Sequence, residues 1–364
     1  MLGAHTSSSG DERLDDCRIA GYTRLLSRNE LAEKFAAPTH VEEAIRRHRQ
    51  KIKQIVHKQG SIFLVILGPC SIDDPETAFE YSDFVLRLTE EYGSRIMFCM
   101  RTYLEKPRSE GGWEGYITDP FLTGEYDYVN GIPMSLDLLL KLSAKLPLAG
   151  EFVSPTVANL VAHHYSYGCI GARTVQAPDS RALASGMSMP MGMKNTTDGS
   201  LKHAITAVRS ARKPHALLAA NPEGHDSQVR TLGNSDAHVI LRGGDGGPNS
   251  HAGNVALVSE ALPDVAVAID GSHGNSNKDC KKQGAIFLDA GRQFAEHGLV
   301  RIAMLESYIH EGKQNFPSPE TVQTRKRGLS VTDACIGQSE TYDLCGQLFE
   351  ILKPVSNGWA PWQQ

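Results

Sequence analysis

Eight short apolar runs recur along the chain, and each closes on or contains a polar or ionisable group. SIFLVILGPCS delivers Cys70, MFCMR ends at Arg101, PLAGEF contains Glu151, CIGAR ends at Arg173 and PMGMK at Lys194. HVILR then ends at Arg242, VAVAIDGSH at His273 and IAMLE at Glu306. Runs this short, rich in branched residues and bounded by turn residues, read as strands covered on both faces, which belong to a parallel sheet. Residues 75–93, 135–146, 156–166, 181–187 and 200–212 carry helical patterns between them, so strand and helix alternate. Eight buried strands with chemistry at their C-terminal ends predict an α/β fold of the (β/α)8 TIM-barrel type, with the site built from those ends and the loops after them. An open doubly wound sheet is the alternative, and its ligands also sit at strand ends.

The 364 residues hold one barrel of about 250 residues plus extensions. Residues 1–17, rich in Ser, Gly and Asp, read as a disordered tail. Residues 18–60 form an N-terminal arm and a helix, 61–352 the barrel, and 353–364 a C-terminal tail. Thr39 and Glu42 have the spacing of a capping box, with Val41, Ile45, Ile52 and Val56 on one helix face. Two long segments interrupt the rhythm: 105–130 after the second strand, and 217–238, which reads as an inserted β-hairpin before strand six. Arm residues Ile19, Tyr22, Leu25, Leu26, Leu31 and Phe35 find no partner among the barrel runs, which predicts a covering surface.

Charged residues make up 22% of the chain and the net charge is −5, so no basic field favours nucleic acid. No apolar stretch reaches the length of a membrane span, and no apolar signal core opens the chain. Seven cysteines without CxxC spacing read as reduced thiols. A cytoplasmic protein is expected.

Arg101, Lys106, Arg108, Arg173, Lys194 and Arg242 all fall at or just beyond strand ends. Buried cations are costly unless paired, so the barrel makes them an ion-pair ring or a polyanion site. Six cations against few local acids favour the polyanion, with Lys106-Pro-Arg-Ser109 as a phosphate clasp. Cys70, His273, Glu306 and Asp333 carry no metal-binding spacing in the linear sequence. Barrel closure nevertheless brings the first and eighth strands together, and with them a thiolate, an imidazole and two carboxylates. That donor set suits Mn, Fe, Co or Zn and is a poor one for Mg or Ca.

Ten ordered motifs resemble the type I 3-deoxy-D-arabino-heptulosonate 7-phosphate (DAHP) synthases. They are GPCSI at 68–72, MRTYLEKPRS at 100–109, AGEF at 149–152, IGART at 170–174, ASG at 184–186, GMKNTTDG at 192–199, HVILRGG at 238–244, SHGNSNK at 272–278, LES at 305–307 and TDACIG at 332–337. The resemblance spans residues from about 20 to 350. It implies a metal-dependent condensation of phosphoenolpyruvate with D-erythrose 4-phosphate, the first step of the shikimate pathway and of aromatic biosynthesis. It further implies that Cys70, His273, Glu306 and Asp333 bind a divalent metal. Arg101, Lys106, Arg173, Lys194 and Arg242 would hold phosphoenolpyruvate, with Glu151 among the substrate-binding residues, and Arg108 and Ser109 the sugar phosphate. Lys106 would serve in proton transfer, with Cys70 and His273 as its catalytic neighbours, in a homodimer or homotetramer whose arm packs across an interface.

Departures from the family pattern cluster beside the acceptor. Asp73 replaces a common His, Glu110 and Glu114 add negative charge beside the clasp, and Gln176-Ala-Pro-Asp-Ser-Arg181 replaces a usual Glu-Ser-Gln-x-His-Arg. A modified aldose phosphate is therefore the competing acceptor, and a catalytically silent ligand-binding relative is the competing class. Ser154, Val157-Ala158-Asn159 and Ala219 stand where feedback-regulated relatives carry an acid, Thr-Pro-Gln and a serine, while Ser188 is kept. Weak feedback by aromatic amino acids is expected.

Overall fold

The computed structural model describes residues 14–108, 112–317 and 321–353. Strands β1 (Phe63–Gly68), β2 (Ile96–Arg101), β3 (Leu148–Glu151), β4 (Tyr167–Ile170), β5 (Met191–Lys194), β8 (His238–Leu241), β9 (Val267–Asp270) and β10 (Val300–Glu306) close into a parallel barrel. The ring shuts where β1 pairs with β10, in a register that sets Gly68 opposite Glu306. Almost every strand residue is buried. The reason is the one the apolar runs announced: side chains on one face fill the barrel and those on the other meet the helices.

The crossovers are α3 (Pro75–Tyr92), α4 (Tyr128–Ser143), α5 (Pro155–Val161), α6 (Pro178–Gly186), α7 (Leu201–Ala211), α8 (Ala252–Ala261) and α9 (Gln283–His297), with α10 (Gln338–Leu352) last. Asp74 caps α3 by accepting from the backbone of Glu76 and Thr77, and proline follows at its first position. β6 (Ala216–Ala220) and β7 (Asp226–Arg230) form the expected antiparallel hairpin ahead of the sixth barrel strand. Gly224, at φ 90°, turns it.

Two helices precede the barrel. In α1 (Arg28–Lys34) a capping box joins Ser27 and Glu30. Leu31 is buried and Phe35 packs on the core, so those two apolar residues find their partner within the chain. Tyr22 stays largely exposed, and Ile19, Leu25 and Leu26 are partly so. α2 (Thr39–Val56) buries Val41, Ile45, Ile52 and Val56, but its N-cap is Pro38. Thr39 is already helical, so the expected capping box does not form there. From the polar face Arg49 donates to the carbonyls of Ala162, His163 and Tyr165, tying α2 to the segment after α5.

Candidate active site

The C-terminal strand ends open into one cavity of about 900 Å³. Its wall carries Arg101, Lys106, Arg108, Arg173, Lys194 and Arg242, the six cations singled out in the sequence. β2 and β5 end on Arg101 and Lys194, while Arg173 and Arg242 follow β4 and β8. Gly68 lets β1 pass this closely: it sits at φ 155°, and a Cβ there would lie 2.6 Å from the Arg101 carbonyl oxygen.

Arg101 is 1% exposed. Its guanidinium donates to Glu306 at 2.8 Å and to the Pro69 carbonyl at 3.0 Å, and lies 3.6 Å from the Tyr103 ring centroid. Its remaining nitrogen, Nη1, is buried without a partner, and a buried donor left over beside a cavity calls for an acceptor. Lys194 donates to Glu151 at 2.8 Å and stands 3.6 Å from Asp270. Burial pushes the Glu151 carboxyl up, but Lys194, with Arg101 and Lys106, outweighs it and holds the group at about 2. Arg108 and Arg173 lie exposed at the rim. Ser109 and Glu110 lie outside the described residues.

On the β1–β10 side, ligand atoms of Cys70, Glu306 and Asp333 all fall within 4.8 Å of one another. The Cys70 Sγ is 3.5 Å from Asp333 and accepts from Lys106 Nζ at 2.7 Å. Lys106 also meets Asp333 at 3.1 Å. Burial drives the thiol up to about 11, with Glu306 adding to the shift and Lys106 opposing it. Burial disfavours the Lys106 ammonium, yet Cys70 and Asp333 more than compensate and raise it. His273 stands beside the trio, its Nε2 3.7 Å from Glu306. Its other nitrogen, Nδ1, faces Asp270 at 3.0 Å, the arrangement that aims a histidine's free nitrogen at a metal. Thiolate, imidazole and carboxylates around a spot that already attracts an ammonium fit a divalent transition metal and do not favour Mg or Ca.

A profile of the DAHP synthetase I family matches residues 39–345. The chain belongs to the DAHP synthetase I family. It is 40% identical over 346 residues to the "Phospho-2-dehydro-3-deoxyheptonate aldolase, Phe-sensitive" of Escherichia coli (strain K12), covering 93% of this chain and 97% of that protein. A phenylalanine-inhibited aldolase of the same name from Saccharomyces cerevisiae is 37% identical over 355 residues, covering 94% and 95%. The structure of the Francisella tularensis SCHU S4 phospho-2-dehydro-3-deoxyheptonate aldolase superposes with a TM-score of 0.89 at 34% identity, covering 92% of this chain and 98% of the other.

Within this DAHP synthetase fold, some cavity residues escaped the sequence reading. Thr197, Asp245, Asn277 and Lys278 also line the wall; no apolar run marks these loop residues, although all but Asp245 fall inside motifs quoted above, where no role was drawn for them. Asp270 ends β9 fully buried. Its position at the close of an apolar run was a signal as good as that of Glu151 or Glu306, and the histidine three residues later drew the attention instead.

Proposed function

We propose that this chain condenses phosphoenolpyruvate with D-erythrose 4-phosphate and water to give DAHP and phosphate, acting as a 3-deoxy-7-phosphoheptulonate synthase. The observation that carries the reading is the cavity in which six cations stand beside the Cys70, Glu306 and Asp333 cluster. Arg101, Lys106, Arg173, Lys194 and Arg242 neutralise the carboxylate and phosphate of the enol, with Arg101 Nη1 and Lys194 at the buried end. Glu151 keeps Lys194 charged and oriented. Arg108, with Ser109, takes the sugar phosphate at the rim. Carbon 3 of the enol attacks the aldehyde, water adds at carbon 2, and phosphate leaves with cleavage of its bond to that carbon. Cys70, His273, Glu306 and Asp333 would hold a divalent ion, Mn, Fe, Co or Zn, which supplies Lewis-acid polarisation of the aldehyde oxygen when bound. Lys106, whose ammonium form Cys70 and Asp333 favour, would give its proton to that oxygen.

Phosphate release from phosphoenolpyruvate, measured against a panel of aldose phosphates, tests the reaction; no release with erythrose 4-phosphate sinks it. In the same assay Arg108→Ala should raise the KM for the aldose phosphate by about 1.5–3 kcal/mol, roughly tenfold to a hundredfold, for one charge-assisted bond. The KM for phosphoenolpyruvate should hardly move. Equal weakening toward both substrates would overturn the assignment of Arg108.

Feedback by aromatic amino acids should be weak. The Ser154 hydroxyl is engaged as N-cap of α5, and the Glu105 carboxylate already accepts from the backbone of Val153 and Ser154. Polar groups of that region are thus occupied by the chain itself. Initial rates with Phe, Tyr or Trp titrated to about 1 mM, where binding is worth about 4 kcal/mol, should stay above half; half-inhibition well below that concentration refutes this.

The exposed apolar residues of the arm support a homodimer or homotetramer. Light scattering of the chain lacking residues 1–38 should shift toward monomer, and an unchanged mass would refute the role of the arm. The buried free cysteines fit a reducing compartment such as the cytoplasm. Among the described residues no helix is long and apolar enough to cross a membrane.

A further inference from the structure

The three segments that carry Cys70, Glu306 and Asp333 meet a second time, behind the cavity, at Asp73. This carboxylate is 2% exposed and lies three residues after Cys70. Its Oδ1 accepts from the Tyr308 hydroxyl at 2.9 Å, and Tyr308 lies two residues after Glu306. Its Oδ2 has no hydrogen-bond partner and faces Arg325 Nε, also buried without one, at 3.9 Å. Burial raises the Asp73 carboxyl to about 6, while Tyr308 and the Arg325 guanidinium oppose the shift.

Arg325 belongs to the segment that leads to Asp333. It also donates to Asp74 at 3.0 Å, and Arg327 grips the same carboxylate through two nitrogens at 2.7 and 2.8 Å. From there the chain turns at Gly328, whose carbonyl accepts from His310, and the Ser330 carbonyl accepts from Gln314. Asp333 itself hydrogen-bonds through its side chain to Lys106 and Cys70. Its segment is fastened on one side beside Cys70 by the two arginines and on the other by backbone pairing of Cys335 and Ile336 with Gly312, Glu306 and Tyr308.

We propose that Asp73 and Arg325, with Tyr308 and the Arg327 to Asp74 grip, form a positioning node that sets the spacing of Cys70, Glu306 and Asp333. This deepens the metal-dependent reading of the site and rests on it. None of the node residues lines the cavity. They act through the ligands, as outer partners of metal sites do, and loss of such partners lowers metal affinity about tenfold to a hundredfold.

Cobalt(II) titration of the full-length protein, followed by the thiolate-to-cobalt charge-transfer absorption, tests the node. Asp73→Asn keeps an acceptor for Tyr308 but removes the charge facing Arg325, and Arg325→Gln removes the other partner. Each should weaken cobalt binding about tenfold or more, the double variant should lose little beyond the larger single loss, and Arg325→Lys should recover part of the affinity. Thermal unfolding of the metal-free proteins, read in parallel by circular dichroism, separates positioning from folding. A lowered unfolding temperature with unchanged cobalt affinity would overturn the proposal, as would additive losses in the double variant. Absence of the thiolate band in the parent protein would refute the Cys70 metal site itself and this node with it.

Discussion

Cys70→Ala should lose divalent-metal binding and at least a hundredfold in turnover while the barrel stays folded. The substitution removes one sulfur from a residue just past the end of β1, and small core truncations of this kind cost about 1 kcal/mol. The Sγ is however the softest donor of its cluster, and its removal leaves two carboxylates and the neighbouring imidazole, a harder set with one ligand fewer that should hold Co or Zn far less tightly. In the parent protein chelation should abolish activity and Mn, Co or Fe should restore it. Because the thiol is pushed up to about 11, chiefly by burial, metal uptake must expel its proton, and affinity should rise with pH. Full turnover by the alanine variant after stripping, with no metal in the assay, would show the assignment to be wrong.

Lys194→Met should cost about 3–5 kcal/mol of stability, the usual effect of removing one partner from a buried ion pair. Glu151 and Asp270 would then share the interior with no ammonium between them. Phosphoenolpyruvate binding should fail as well, since the lost charge lines the cavity. The acid limb carries a second signature. Glu151, held at about 2 in the folded protein, contributes stability that is complete above the unfolded carboxylate value of about 4.3 and is lost as pH falls toward 2. Without Lys194 that part of the slope should flatten. Adding Glu151→Gln should return part of the stability but none of the binding. A urea midpoint within about 0.5 kcal/mol of the parent, once multiplied by the slope, would contradict the buried-pair account.

The barrel was legible because its signal is local and repeated. Each strand is a short apolar run, and six of the eight runs bring a residue to the cavity wall, so periodicity and chemistry pointed to the same end of the sheet. The hairpin was legible through Gly224. α2 was recognised from its apolar face, yet its start was misjudged: Thr39 and Glu42 match a capping box by spacing, and Pro38 takes the cap position instead. Leu31 and Phe35 looked orphaned because burial between elements distant in sequence leaves no mark in the linear pattern. The same reason hid Arg325 and Arg327, and it misplaced Asp73, expected beside the acceptor but buried against Tyr308 and Arg325 outside the cavity wall. Both read as ordinary charged residues in a loop, and only the fold brings the 325–327 segment against the N-terminal end of α3.

Closure of the ring through β1 and β10 has a consequence for how this chain comes into being. Cys70 is made early in synthesis and Glu306 late, and the register that sets Gly68 opposite Glu306 forms only when the final strand docks. A nascent or truncated chain that lacks β10 thus leaves Arg101 without its Glu306 partner and Cys70 without the two carboxylates of its cluster. A divalent ion held by Cys70, Glu306 and Asp333 would add RT ln(1 + [M]/Kd) to the closed state and so act as a clasp on the seam between β1 and β10. Ion capture by ribosome-released protein would report that the circle has been completed.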